Sequence, residues 1–243
     1  MAKTAGIVLI GNEILSGKIT DANAAYLCRE LRQLGVDVRR IIVIPDEIDL
    51  IASTVAEFHR SFDLVFTSGG VGPTHDDVTI EGVARAFATR VVRHPDLVRL
   101  LDGYYRGDLN DARLKMAEVP EGAELYTAGS LRFPAVVIGN TYVLPGVPEI
   151  FRQKFEALKE RFRESPFHLC SVFVSIGEGL LADHLNAVLD RHPELMLGSY
   201  PEFGNAEYRV KVTLESKDQA FLDRAVEDLL ERLPQGAVVR IER

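Results

Sequence analysis

The stretch "TSGGVGPTHDDVT", residues 67–79, joins two chemistries that ordinarily oppose each other. Gly69, Gly70 and Gly72 tolerate positive φ and let backbone N–H groups approach a ligand with no Cβ in the way. Ser68 and Thr74 add hydroxyl donors. Thr79 is placed to cap a helix beginning at Ile80, and the unpaired N–H groups of a helix start favour an anion. A phosphate suits such a loop. Asp76 and Asp77 would repel one unless a hard divalent cation stood between them. Mg²⁺ meets that need with one or two carboxylates plus phosphate oxygens. The pairing points to a metal-assisted phosphate or pyrophosphate site with Asp76 and Asp77 as the metal ligands. Acids at a helix start also complement its dipole, and spacing alone does not separate the two readings.

Two standard nucleotide motifs are excluded. "GNEILSGKIT" (11–20) resembles a Walker loop, but Asn12 stands where a glycine is required and Ile19 where a hydroxyl must hold the metal. "SGGVGPT" does not follow the G-x-G-x-x-G spacing of a dinucleotide fingerprint. His75 reads as a solvent-facing loop residue, and the other histidines show no ligand spacing. Tyr104 and Tyr105 are able to stack on a base or pterin, but helix packing is the preferred reading.

The elements that must position this loop alternate. Apolar runs at 5–11, 36–45 and 63–68 read as strands. Between them lie helical patterns, one with Leu27, Cys28, Leu31 and Leu34 as its stripe, Thr20 or Asp21 as its cap and Gly35 as its stop. Alternation of this kind implies a mostly parallel sheet covered by helices, whose ligands sit beyond the carboxyl ends of the strands. Gly11-Asn12-Glu13, Pro45-Asp46-Glu47 and the glycine loop should therefore converge on one rim. Residues 94–120 look helical and then irregular, as a flap would. Residues 135–151 read as two strands turning at Gly139-Asn140, followed by a helix to about residue 163. "ESPF" (164–167) marks the expected boundary between a domain of residues 1–165 and a second of 166–243. The second shows the β-α-β-β-α-β order of a ferredoxin-like α+β sandwich.

The 243 residues are 47% hydrophobic and 26% charged, enough for a core without covalent staples. The net charge is −8 and the basic residues form no long runs, which argues against nucleic acid or an anionic membrane as partner. Cys28 and Cys170 are in no metal-ligand spacing and read as core residues of a reducing compartment. With no long apolar span and no signal-peptide pattern, the cytoplasm is the expected location.

"IGNEILSGKITDANAAYLCRELRQLGVDV", "TSGGVGPTHDDVT" and "LPGVPEIF" together resemble the molybdopterin-binding family, in the branch of the competence/damage-inducible protein CinA. The likeness spans about residues 4–165, and "SIGEGLLADHL" and "GSYPEF" resemble the extension that follows in this branch. It implies a three-layer α/β/α domain that forms a homodimer or homotrimer. Some members bind molybdopterin or adenylylate it. The CinA branch implies divalent-metal-dependent cleavage of ADP-ribose, and the related domain of eukaryotic FAD synthase implies cleavage of FAD.

Carried over by motif, Ser68, Gly69, Gly70, Val71, Gly72 and Thr74 would grip phosphate and Asp77 the metal. Asp46 matches an acidic rim position, Glu13 belongs to the opening G-x-E motif, and Gly146 and Pro148 lie in a second phosphate-side loop, residues 146–149. Asp77, Asp46 and Glu13 are then the catalytic set. The deamidase domain that completes CinA has no match here, and "YTAGSLRFPAVV" (126–137) departs from the Asn- and Gly-rich segment of the family. The expected cofactor is Mg²⁺ or another divalent ion, Co²⁺ and Mn²⁺ among them, with K⁺ a further candidate and molybdopterin the alternative ligand. Three functions follow: a dinucleotide pyrophosphatase, a pterin-binding or adenylyl-transferring protein, and a non-catalytic nucleotide-binding assembly module.

Overall fold

Strand burial follows the apolar runs. In the computed structural model, which describes residues 2–127 and 131–243, the run "TAGIVLI" becomes β1 (Thr4–Ile10), buried from Ala5 onward. The chain continues through α1 (Asn12–Leu15), α2 (Asn23–Gln33), β2 (Asp37–Ile44), α3 (Ile48–Ser61), β3 (Leu64–Ser68) and α4 (Thr79–Ala86). Next come β4 (Val91–Arg93), α5 (Pro95–Tyr105), α6 (Asp111–Lys115), β5 (Glu118–Pro120), β6 (Glu124–Tyr126), β7 (Ala135–Ile138), β8 (Thr141–Leu144) and α7 (Pro148–Leu158). These lie in the first of two compact units, Met1–Glu164 and Ser165–Arg243.

Among the described residues, the first unit holds a six-stranded sheet in the order β2-β1-β3-β8-β7-β6. β2, β1, β3 and β8 run parallel, and β7 and β6 complete the sheet with antiparallel pairings. Side chains alternate across a strand, so Ile7, Leu9 and Phe66 face Leu27 and Leu31 of α2 and Phe151, Phe155 and Leu158 of α7. Val8, Ile10 and Val65 face the opposite way, onto Ile51, Val55 and Phe58 of α3 and Val83 of α4. The result is the expected three-layer α/β/α arrangement. β2 is an edge strand with Arg39, Arg40 and Ile41 exposed. Arg39 pairs with Asp37 at 2.7 Å and Arg40 with Glu57 at 2.5 Å, and charge of this kind discourages pairing with another edge.

Several local expectations hold. Asp21 accepts from the N–H groups of Asn23 and Ala24 at 3.2 and 2.9 Å and so caps α2, while Gly35 ends it at φ +80°. Gly139 takes φ +56° between antiparallel β7 and β8. Residues 94–120 are more ordered than the sequence suggests: α6 follows α5, and β5 pairs with β4 over a small core of Leu97, Leu101, Ala117 and Val119. Within the stretch 126–137, residues 128–130 lie outside the described residues.

The second unit carries β9 (His168–Val174), α8 (Glu178–Arg191), β10 (Met196–Pro201), β11 (Val210–Ser216), α9 (Gln219–Arg232) and β12 (Val238–Glu242). Its sheet order β10-β11-β9-β12, antiparallel throughout, is the ferredoxin-like arrangement of a β-α-β-β-α-β chain. Leu181 and Leu185 of α8 and Leu222, Val226 and Leu229 of α9 pack with Val172, Val212 and Leu214 of the sheet. Cys170 is buried in that core, Cys28 is half-buried in the first unit, and both are free thiols. No helix among the described residues is long and apolar enough to cross a membrane.

Candidate functional site

The glycine loop leaves β3 at Ser68 and is fastened from three directions before it reaches α4. Gly69 N–H donates to Leu144 O of β8 at 3.2 Å. Gly69 has φ +107°, and a Cβ there would stand 2.1 Å from the Ile10 carbonyl oxygen, so only glycine fits. Thr79 closes the loop from the far side. Its N–H donates to Gly70 O at 3.0 Å and its buried hydroxyl to Gly69 O at 2.9 Å. This corrects the expected helix cap: the hydroxyl is spent as a donor on the loop, and α4 starts at Thr79 itself with no side-chain cap.

Ser68 is corrected in the same way. It is buried, and its hydroxyl accepts from Asn23 Nδ2 at 2.9 Å and donates to Pro145 O at 3.4 Å. Asn23 Nδ2 also donates to Gly146 O at 2.8 Å, so one buried amide stitches the glycine loop to the loop before α7. At that seam a Cβ on Gly146 would stand 3.4 Å from Gly69 Cα. Asn23 was missed in the sequence because its partners, Ser68 and Gly146, are distant in the chain and meet it only on folding. Asn23→Ala should lower the stability of the first unit by roughly 1–3 kcal/mol, since it leaves buried partners unsatisfied. Urea unfolding monitored by a first-unit probe measures the change.

Thr74 is likewise occupied. Its N–H and hydroxyl both donate to Asp77 Oδ2, at 2.8 and 2.5 Å. Asp77 therefore turns back onto the loop instead of forward onto the helix amides. A Cβ on Gly72 would stand 2.7 Å from Asp77 Oδ2 and displace that side chain; Gly72 does not adopt the positive φ expected of it, whereas Gly69 and Gly70 do. Pro148 opens α7 and has no N–H to offer a phosphate.

What remains available is specific. Among the described residues, the consecutive amides of Gly70, Val71 and Gly72 have no hydrogen-bond acceptor. Successive free N–H groups in a turn form a concave anion site. Half-buried Asp77 lies beside them.

The acids distribute over two depressions. Asp46 Oδ2 accepts from Asn12 N–H at 2.8 Å, joining the ends of β1 and β2, and its Oδ1 would lie 3.5 Å from a Cβ on Gly70. Glu13 folds back against Gly11. Asp46, Glu13 and Asp76 line one open cleft with Asn12, Ser16 and Lys18, so the three strand ends do meet on one rim. Asp77 lines a different and larger cavity. His75 is exposed, with its ring nitrogen 3.8 Å from Asp76.

The cavity beside Asp77 has a volume of about 750 Å³, within the range of ligand pockets. It begins at Val71 and Gly72 and runs between α4, α5 and α7. Tyr104, Tyr105 and Phe133 line it, with Tyr104 and Phe133 edge to face at 5.6 Å. The tyrosines are thus cavity wall and not only helix packing. Lys115 of α6 reaches back to donate to Thr74 O in the glycine loop. Lys154 of α7 donates to Pro134 O at 2.7 Å, and burial pushes its pKa down to about 8. The sequence carried a signal for Lys154: it interrupts the apolar positions Ile150, Phe151, Phe155 and Leu158 at helical spacing.

Among the described residues, no three or more His, Cys, Asp or Glu side chains are grouped to hold a metal ion. An all-protein cage is therefore not what these residues offer. One carboxylate beside free amides fits an ion shared with phosphate oxygens, as Mg²⁺ prefers.

Comparison with known proteins places the chain among relatives. Residues 6–164 match the family described as "Probable molybdopterin binding domain", and residues 166–242 match "FAD synthase, middle domain". A protein of Archaeoglobus fulgidus is 37% identical, over 93% of this chain and 96% of its own. A probable FAD synthase of Caenorhabditis briggsae is 32% identical over 98% of this chain, which spans 50% of the relative's length. A crystal structure of CinA, of unknown function, from Thermoplasma acidophilum is 33% identical with a TM-score of 0.61, covering 66% of this chain and 98% of that one.

Proposed function

Because the chain belongs to the molybdopterin-binding domain family, in its CinA-like branch, we propose that the first unit cleaves the pyrophosphate bond of a dinucleotide such as FAD or ADP-ribose with a divalent metal. The observation that carries this reading is the run of free amides at Gly70, Val71 and Gly72, with Asp77 alongside, at the mouth of an aromatic-walled cavity. The amides receive the negative charge that grows on the non-bridging oxygens. The cavity takes one nucleoside half, and the acidic cleft lies at the other side of the loop.

Asp77, with Asp46 or Asp76 assisting, would hold Mg²⁺, Mn²⁺ or Co²⁺. When bound, such an ion polarises the phosphoryl group and lowers the pKa of a water. Glu13 is assigned to orient that water or take its proton. Asn23 and Thr79 keep the amides aimed by fastening the loop at both ends. The relatives described as FAD synthases support a nucleotide-processing role, and the family description favours a second reading, a pterin-phosphate binder or adenylyl transferase using the same loop.

The test follows FAD and ADP-ribose by chromatography with Mg²⁺, Mn²⁺ or Co²⁺, with and without K⁺, and with chelator. AMP release that stops on chelation is expected. No AMP from either substrate, alongside binding of a pterin phosphate, would select the second reading. Nucleotide binding without any turnover would select a non-catalytic module.

A further inference from the structure

We propose that Lys154 determines substrate specificity by hydrogen-bonding the adjacent carbonyl-oxygen and ring-nitrogen acceptors of an oxygenated fused ring, as found in oxidised flavins and pterins, so that the cavity selects such a ring over adenine. The inference rests on the cavity beside Asp77 being the substrate site of the proposed function.

An ammonium group has three N–H donors and no acceptor. One donor of Lys154 goes to Pro134 O at 2.7 Å. No carboxylate among the described residues pairs with it, although it lines a cavity that also holds Asp77, Glu81 and Glu118. Two donors are left on a partly desolvated cation, a costly arrangement unless a ligand supplies acceptors.

The position of the group says which part of a ligand that is. Pro134 follows Phe133, whose ring packs on Tyr104, so Lys154 stands at the aromatic corner of the cavity. The phosphate end is marked by the free amides of residues 70–72 and by Lys115, which bonds the glycine loop. A planar ring fits the aromatic corner. Flavins and oxidised pterins present a carbonyl oxygen next to an unprotonated ring nitrogen, two acceptors for the two free donors. Adenine presents its N7 acceptor beside the donor N6 amine, which a donor-only group meets poorly.

The experiment is calorimetric titration of the full chain and Lys154→Met with FMN, riboflavin, 6-hydroxymethylpterin and AMP. Methionine keeps the unbranched shape, and Lys154 is half-buried with one hydrogen bond and, among the described residues, no ion pair to lose. The wild-type chain should bind riboflavin or the pterin more tightly than AMP; whichever of the two loses affinity in the variant identifies the source of the ring. That loss should be at least about tenfold, as expected for hydrogen bonds from a charged donor, with AMP changed by less than about threefold. FMN and riboflavin should lose the same factor. If FMN weakens and riboflavin does not, Lys154 serves phosphate and the proposal fails. Equal losses for riboflavin and AMP, or no loss at all, also overturn it. Assaying FAD cleavage on the same preparations keeps the two ideas apart: absent AMP release would sink the hydrolytic reading while leaving ring selection standing.

Discussion

Replacing Gly69 by Ala is expected to lower the stability of the first unit by about 3 kcal/mol or more. Two costs add at this position. The backbone sits at φ +107°, outside the ordinary range of a side-chain-bearing residue, and the new Cβ would fall 2.1 Å from Ile10 O. That oxygen belongs to the end of β1 and cannot swing aside as a flexible side chain would. Gly17 supplies the control. It has φ +70° with nothing within 4 Å of a Cβ, so Gly17→Ala carries the backbone cost alone, about 1 kcal/mol. Chemical denaturation at unchanged slope measures both variants. If Gly69→Ala is no more costly than Gly17→Ala, the close approach of the loop to β1 is wrong, and with it the placement of the free amides.

Asp77→Asn should reduce metal-dependent pyrophosphate cleavage by about 10²- to 10³-fold, because a Lewis-acid ion contributes several kcal/mol and each ~1.4 kcal/mol is tenfold. The fold should survive, since the amide oxygen of Asn can still accept from Thr74 N–H and hydroxyl. Thr74→Val separates the two roles of this carboxylate. It removes the hydroxyl that donates to Asp77 Oδ2 but leaves the charge, so cleavage should fall by less than about tenfold. The ion concentration for half-maximal activity should rise in Asp77→Asn and stay near the wild-type value in Thr74→Val. If both variants lose activity equally, Asp77 acts by shaping the turn, and the metal assignment must move to the Asp46 and Asp76 side.

The architecture was legible where one face or both faces of an element were strongly apolar. "AGIVLIG" reads as a buried strand because nearly every residue of β1 is buried, and the β-α-β-β-α-β order of the second unit follows from period changes alone. Asp21 and Gly35 were readable because capping is local. The glycine loop was legible as a loop, but its donors were not. Whether Ser68, Thr74 and Thr79 offer their hydroxyls outward depends on Asn23, Asp77 and Gly69 O, partners that only the folded chain brings to them. Tyr104 and Tyr105 pointed to helix packing for the same reason: an amphipathic helix does not announce that its apolar side borders a cavity. Lys154 left a trace in the broken stripe of α7, yet its significance depends on Phe133 and Pro134, to which only the folded chain brings it.

The most direct test is cleavage of FAD and ADP-ribose in H₂¹⁸O with Mg²⁺, Mn²⁺ or Co²⁺, with phosphate products read by mass spectrometry. One ¹⁸O should appear in a phosphate of one product half, only when metal is present, and at the same rate as AMP. AMP formed without solvent oxygen, or no AMP from either dinucleotide, would contradict hydrolysis at the glycine loop.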